Sequence, residues 1–396
     1  MKLLLIIACG VLVFITHTIQ AQPYIPQADA DIIETLPTRS AAWFTTKSLR
    51  QQLNAEPNNL KLALSLVKHY IELGRADADP RYFGYAEAVL APWLASPRPA
   101  PEALTLRATL YQNRHEFPAA LRYLDQALAL QPRLAQAWLT KALVLEVQGQ
   151  YAAALKSCLP LLKLASPLAA TMCINTSQSL SGQLDAAYRQ LRQIVTHLNN
   201  EPPEDQQWAL VTLAEMAERI GDNTAADHYY QAALAVNLRN AYLLGSYADF
   251  LQDQGRYQTV ITLLANETRA DGLLLRLTLA EQQAPTAALA THIDWLKARF
   301  AASRMRGDVT HQGDEARFTL HVLHQSEQAL ALAQKNWAVQ REPRDARILL
   351  EATLATDTQK QAALPTLAFL AENHVQDVRL QVLITRLKAS GAVASN

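Results

Sequence analysis

The sequence predicts an all-α chain of stacked helical hairpins, and three observations predict it. Half of the 396 residues are apolar while only 12 are glycine, enough for an extended array with a continuous core, which excludes a disordered chain. Alanine, leucine and glutamine dominate, residues that lose little side-chain freedom in a helix; the β-branched and aromatic residues that favour strands are thin after the first twenty positions. Small residues and glycines recur at intervals of about 34 residues through the middle of the chain.

Charge narrows the partners. The 36 Lys and Arg balance the 36 Asp and Glu, with no long run of either sign. Nucleic acid is excluded, because its binding needs clustered Lys and Arg against phosphate, and so is a polybasic hold on anionic lipid.

The first element is a leader. Lys2, the apolar or small stretch 3–15 and the exit Ile19-Gln20-Ala21 read as a secretory signal peptide cleaved after Ala21. The apolar run is about half of the roughly 20 residues that span a bilayer, so a retained anchor is the lesser reading. Ile6-Ile7-Ala8-Cys9 loosely resembles a lipoprotein box but comes too early in the apolar run. The mature chain is expected to be soluble and periplasmic or secreted, with Cys158 and Cys173 in a compartment where disulfides persist.

The repeat follows. Ala108 is succeeded by Ala142, and Ala214 by Ala248; Ala120, Ala154, Ala187, Ala226 and Val260 form a parallel series, as do Gly149, Gly182, Gly221 and Gly255. Residues 101–134 read as two amphipathic helices, one carrying Leu104, Ala108 and Tyr111, the next Ala120, Leu124 and Ala127, closed by Pro132. The next unit places Trp138, Ala142, Leu145, Gly149, Tyr151 and Ala154 correspondingly, closing at Pro167. This pattern resembles the tetratricopeptide repeat, here of an exported bacterial type. Small residues let paired helices approach, large ones fill the gaps between units, and glycine or proline ends each helix. The resemblance implies a right-handed α-solenoid.

Three more units continue it: a degenerate one with Asn175 at the small position, then one with Ala214 and Gly221 and one with Ala248 and Gly255. Upstream, 60–94 is an irregular repeat with an insertion at 75–79. Downstream, pairs are expected at 271–306, 314–341 and 345–372, before a last helix at 376–388. The expected organisation is a signal peptide at 1–21, a lead-in with a short helix at 22–58, repeats at 59–266, and degenerate pairs with a capping helix at 267–396. Terminal units of solenoids are commonly atypical.

Chemical signatures are sparse. The sequence holds no phosphate-cradling glycine loop, nucleophile elbow, paired-histidine zinc motif or Cys-x-x-Cys, so neither catalysis nor a cofactor is expected. His321 and His324, three apart on an expected helix near Asp308, His311 and Asp314, are the best metal candidate, and a solvated histidine face is the preferred reading. The cluster at 79–86 sits where the array is interrupted, but Tyr82 and Tyr85 suit a packing face, with Asp79 as cap. Trp337 reads as core. Cys158 and Cys173 fall on successive helices, nearly equidistant from the turn at Ala165. They either pair across it, closing a loop of about 15 residues, or stay as buried thiols.

The resemblance also implies a concave wall, made by the first helix of each pair, that takes peptide or protein ligands. The family's groove positions fall at Glu102, Thr105, Thr109, Gln112 and Asn113; at Leu139, Leu143 and Glu146; at Thr176; at Val211, Glu215 and Glu218; and at Tyr242, Asp249 and Gln252. This wall is mixed and slightly acidic, without the Lys and Arg that some relatives use to clamp a carboxylate. It therefore implies an extended, modestly polar partner. Two functions compete: an exported scaffold without turnover, and a helical accessory domain of an envelope enzyme or transport system.

Overall fold

The computed structural model describes residues 41–195, 198–356 and 360–390. The expected signal peptide, its expected cleavage site, Cys9 and the lead-in up to residue 40 lie outside the described residues. The chain divides into a unit 1–44 and a unit 45–396. The described part of the first is the start of helix α1 (Ala41–Ala55), where the Trp43 and Phe44 rings meet edge to face.

In the second unit every regular element among the described residues is helical. After α1 come the pairs α2 (Leu60–Asp77) with α3 (Arg81–Leu94), α4 (Pro101–Asn113) with α5 (Phe117–Leu130), and α6 (Ala135–Val147) with α7 (Tyr151–Cys158) and the short α8 (Leu161–Leu164). Then follow α9 (Pro167–Ser179) with α10 (Leu184–Val195), α11 (Pro203–Ile220) with α12 (Asn223–Ala235), and α13 (Ala241–Asp253) with α14 (Tyr257–Leu264). The array closes with α15 (Asp271–Gln283) and α16 (Leu289–Met305), α17 (Gln312–His321) and α18 (Ser326–Val339), α19 (Pro343–Leu354) and α20 (Leu364–Glu372), and lastly α21 (Val378–Ala389). Each first helix packs on the first helix of the next pair and, from α2 to α17, on its own partner, while α19 meets the 3-10 turn Lys360–Ala363 and α21, the arrangement of a right-handed tetratricopeptide-like α-solenoid.

The small residues explain the packing. Ala108, Ala142, Ala214, Ala248, Ala316 and Ala346 have no exposed surface, and neither do Ala120, Ala154, Ala187 and Ala226 opposite them. A methyl group at each crossing lets two helix backbones approach, while Leu124, Leu191, Tyr230 and Leu264 fill the space between. Helix starts are chemically marked: Pro101, Pro167, Pro203 and Pro343 stand in first turns, and Ser166, Asp222, Asn240 and Asp377 cap through their side chains.

Two local expectations are corrected. The insertion at 75–79 is mostly helix, because α2 runs through Gly74 to Asp77 and ends where Ala78 turns left-handed. Gly74 lies inside this helix as expected, and a Cβ there would come within 2.7 Å of the Phe83 ring. His321 and His324 do not share a helix, since α17 stops at His321 and His324 has φ +56°.

The array also turns back on itself. The backbone N–H of Arg341 donates to the Val147 carbonyl at 2.8 Å, the Tyr151 hydroxyl to the Arg341 carbonyl at 3.2 Å, and the Leu184 N–H to Gln376 Oε1 at 3.0 Å. Phe369 lies over the turn at Gly149, His374 over Gly182 and Val378 over Gly221. The path from α18 to α21 thus runs along successive turns of the earlier pairs. The turn before them, at His115, meets it through Gln340.

Candidate functional site

The wall that the resemblance implies runs along the first helix of each pair, where the position after the small residue gives Thr109, Leu143, Thr176, Glu215 and Asp249. On α4 the wall spends its polarity on its own backbone. Thr105 donates to the Pro101 carbonyl, Thr109 to that of Thr105 and Asn113 to that of Thr109, at 2.9, 3.1 and 2.7 Å. Thr105 and Thr109 are buried, while Glu102, Gln112 and Asn113 keep partial exposure. On α6, Leu139 and Leu143 are half-buried but Glu146 is sealed in, 6 % exposed. Val211 and Glu218 on α11 are buried too. Thr176 and Gln252 are half-buried.

Glu146 accepts a hydrogen bond from the Ser177 hydroxyl of α9. Burial, opposed only in part by that bond, pushes its carboxyl up to about 8. The folded chain then holds a proton that the unfolded chain releases near its ordinary 4.5, so this contribution to stability is complete below 4.5 and is lost as pH rises towards about 8. Glu146→Gln removes that loss. In urea unfolding, the variant's advantage over the parent is expected to grow with pH by up to about 1.4 kcal/mol per unit across that window. A pH-independent difference would contradict the assignment. Nearby, Asn175 is 1 % exposed with both side-chain amide atoms unpartnered among the described residues.

On α11 and α13 the wall is ionic, and the cations come from the C-terminal pairs. Asp249 receives Arg276 of α15 at 2.7 Å and Arg317 of α17 at 2.9 Å. Burial raises its carboxyl, but the two guanidinium groups overcome this and hold it well below the carboxylate range. Asp253 is gripped by two nitrogens of Arg347 from α19, at 2.6 and 2.7 Å. Glu218 meets Arg379 of α21 at 3.1 Å and accepts from the Tyr230 hydroxyl at 3.3 Å; burial, offset in part by Arg379, pushes it up to about 8. Glu351 joins Arg347 at 2.7 Å and His321 at 3.0 Å.

Glu215 and Tyr242 form the outer part of this region. The Tyr242 hydroxyl donates to Glu215 at 2.6 Å, Ser246 donates at 3.1 Å, and the Arg344 guanidinium stands 5.6 Å from the Tyr242 ring. Tyr242 keeps 47 % exposure. Even so, lost hydration and then the Glu215 charge raise its phenol well above the ordinary range.

The structure thus pairs Glu215 with Tyr242, gives Asp249 to Arg276 and Arg317, and leaves Thr105, Thr109 and Glu146 in the packing. Arg317, Arg347 and Arg379 were not among the expected wall residues. A signal for two of them exists: after the small residue, successive first helices read Thr109, Leu143, Thr176, Glu215 and Asp249, and later Arg317 and Arg347. Of the histidine candidates, His321 is engaged by Glu351, and no cluster of His, Cys, Asp and Glu suited to a metal occurs among the described residues. The sulfurs of Cys158 and Cys173 stand at disulfide distance, 2.01 Å, with Cα atoms 5.6 Å apart. Tyr82 and Tyr85 pack with Tyr70, and Trp337 is buried against Phe369.

No family model matches the chain, and no curated protein does. Solved structures of similar fold include the Cut9–Hcn1 hetero-tetramer of the APC/C, at 14 % identity over 79 % of this chain and 53 % of that one, TM-score 0.42. The chain therefore spans about half the length of that match. A Rap protein complexed with competence and sporulation factor aligns at 13 % identity over 88 % of this chain and 94 % of that one, TM-score 0.47. Yeast Tom70 aligns at 11 % over 88 % and 96 %, TM-score 0.25. At these scores the likenesses carry no argument about what this chain binds.

Proposed function

We propose that the chain is an exported scaffold that holds an extended protein or peptide segment along its inner wall, without catalysis or cofactor. The observation that carries this reading is the row Gln112, Asn113, Leu139, Leu143 and Thr176, partly exposed on the successive first helices α4, α6 and α9. Mixed apolar and neutral polar side chains at helical spacing suit a modestly polar segment, which would gain affinity by filling several shallow contacts at once.

The reading is tested by a photoreactive residue placed at Gln112 or Asn113 in living cells, with a control at the exposed Gln126 of α5. A specific protein crosslinked from the wall positions and absent from the control is the expected result. Capture of no specific protein from either wall position would count against the groove.

Export is part of the proposal, and the proximity of Cys158 and Cys173 supports it. The mature chain is expected to show no free thiol in denaturant until reductant is added. Reduction should then lower stability by about 3 kcal/mol, the chain-entropy value for closing a loop of this length. Two thiols titrating without reductant would contradict oxidation.

A further inference from the structure

Four side chains form one hydrogen-bonded line between the head of α19 and the α4–α5 turn. Asp345 Oδ2 accepts the Glu342 backbone N–H at 3.0 Å, and Asp345 Oδ1 accepts from Asn336 Nδ2 at 2.8 Å. Asn336 Oδ1 accepts from Gln340 Nε2 at 3.3 Å, and the same Nε2 faces His115 Nδ1 at 3.2 Å. Asn336, Gln340 and Asp345 are buried. His115 is half-buried and left-handed, φ +57°, where the following pairs turn on Gly149, Gly182, Gly221 and Gly255. A side chain is kept there against the preference of the backbone.

The charge on Asp345 sets every orientation in this line. An ionised carboxylate only accepts, so Asn336 turns its nitrogen to Asp345 and its oxygen to Gln340. Gln340 then presents its nitrogen, and His115 accepts at Nδ1 and carries its proton on Nε2. A proton on Asp345 Oδ1 reverses the pattern. Oδ2 still accepts from Glu342, the new O–H donates to Asn336, both amides turn over, and Gln340 Oε1 accepts from Asn336 and from a proton on His115 Nδ1. Either pattern sets donor against acceptor throughout, whereas a single reversed amide sets like against like in a buried place. Burial raises the Asp345 carboxyl to about 6, with the Glu342 charge adding and Arg344 opposing. Tyr151, whose phenol feels the Asp345 charge, is raised by burial and stays neutral. Burial lowers the His115 imidazole to about 4, with Glu342 and Asp308 opposing and Arg344 and His311 adding, so the ring is neutral while Asp345 titrates.

We propose that this line is a proton-driven switch: protonation of Asp345 turns over Asn336 and Gln340 and moves the His115 ring proton from Nε2 to Nδ1, on the turn that follows the wall residues Gln112 and Asn113. Asp345 takes its proton from solvent, and His115 gains one at Nδ1 while releasing one from Nε2, so the line takes up one proton in all.

The tautomer is read by nitrogen-15 NMR of the full chain with labelled histidine, the His115 signals being assigned by their loss in His115→Gln. From about pH 7.5 to about pH 5, the ratio of the Nδ1–H form to the Nε2–H form in the parent should rise by at least about tenfold. Asp345→Asn should hold the Nδ1–H form at both ends of that range: the new amide gives its oxygen to the Glu342 N–H, and its nitrogen, like the protonated carboxyl, donates to Asn336. Gln340→Met breaks the line and should abolish the pH dependence. An unchanging tautomer in the parent would overturn the switch. So would an Nε2–H ring in Asp345→Asn with helical circular dichroism intact, or a transition that survives Gln340→Met, which would come from Asp308, His311, Glu342 or Arg344 instead.

Discussion

Asp249→Asn is expected to destabilise the chain by about 2–4 kcal/mol in urea unfolding at neutral pH, more than any other single neutralisation on the wall. The reason is the arrangement left behind: Arg276 is buried and Arg317 half-buried, and both lose their shortest ion pair at once, leaving Arg276 only Asp314 at 3.5 Å. Removing one partner of a desolvated ion group exposes the hydration cost of the others, which exceeds the net worth of the intact group. Two further outcomes follow. Asp249→Asn with Arg317→Leu should recover part of the loss, because one stranded charge has gone. The parent's advantage should also disappear in acid: the Asp249 carboxyl is held below its ordinary 3.8, so its contribution is present above that value and lost as pH falls through the folded-state value. An Asp249→Asn variant as stable as the parent at neutral pH would show that the seam contributes nothing.

Gly149→Ala should cost about 2–4 kcal/mol, against about 1 kcal/mol for Gly255→Ala. The two glycines occupy equivalent turns with nearly equal φ, +73° and +69°, so the backbone strain of a side chain is matched. They differ in what a Cβ would meet. At Gly149 it would lie 2.5 Å from the Phe369 ring, whereas at Gly255 nothing stands within 4 Å. The difference between the variants therefore measures the contact of α20 with the α6–α7 turn. Phe369→Ala in the Gly149→Ala background should remove most of the excess and leave the strain. Equal costs at the two positions would mean that α20 does not sit there.

The hairpins were legible because their cause is local. Alanines at about 34-residue spacing and the glycines that follow seven positions later report helix crossings and turns, which each pair makes with its neighbours. The return of the C-terminal pairs was not legible, since Gln376 and Leu184 meet across 192 residues and no periodicity encodes that approach. The wall reading suffered for the same reason. It took Glu215, Glu218 and Asp249 as an acidic surface open to a partner, while the cations that meet two of them, Arg379 and Arg317, come from helices 161 and 68 residues further along, whose approach no local pattern encodes. Thr105 and Thr109 show a second limit, because a groove position does not reveal whether a hydroxyl will turn back onto its own helix. Asn175, at a site where its counterparts are alanine, was recognised as irregular, and its unpartnered burial has no explanation in the fold.

The path of α18–α21 along the turns of the earlier pairs is what places their cations on the acidic side chains, and one photocrosslink addresses it directly. A diazirine amino acid at the exposed His374, in the purified mature chain, should join to residues 180–184 when the crosslinked peptides are mapped, because a Cβ at Gly182 would lie 2.8 Å from the His374 Cβ. Crosslinks confined to α20 and α21, or reaching any segment other than the Gly182 turn, would contradict it.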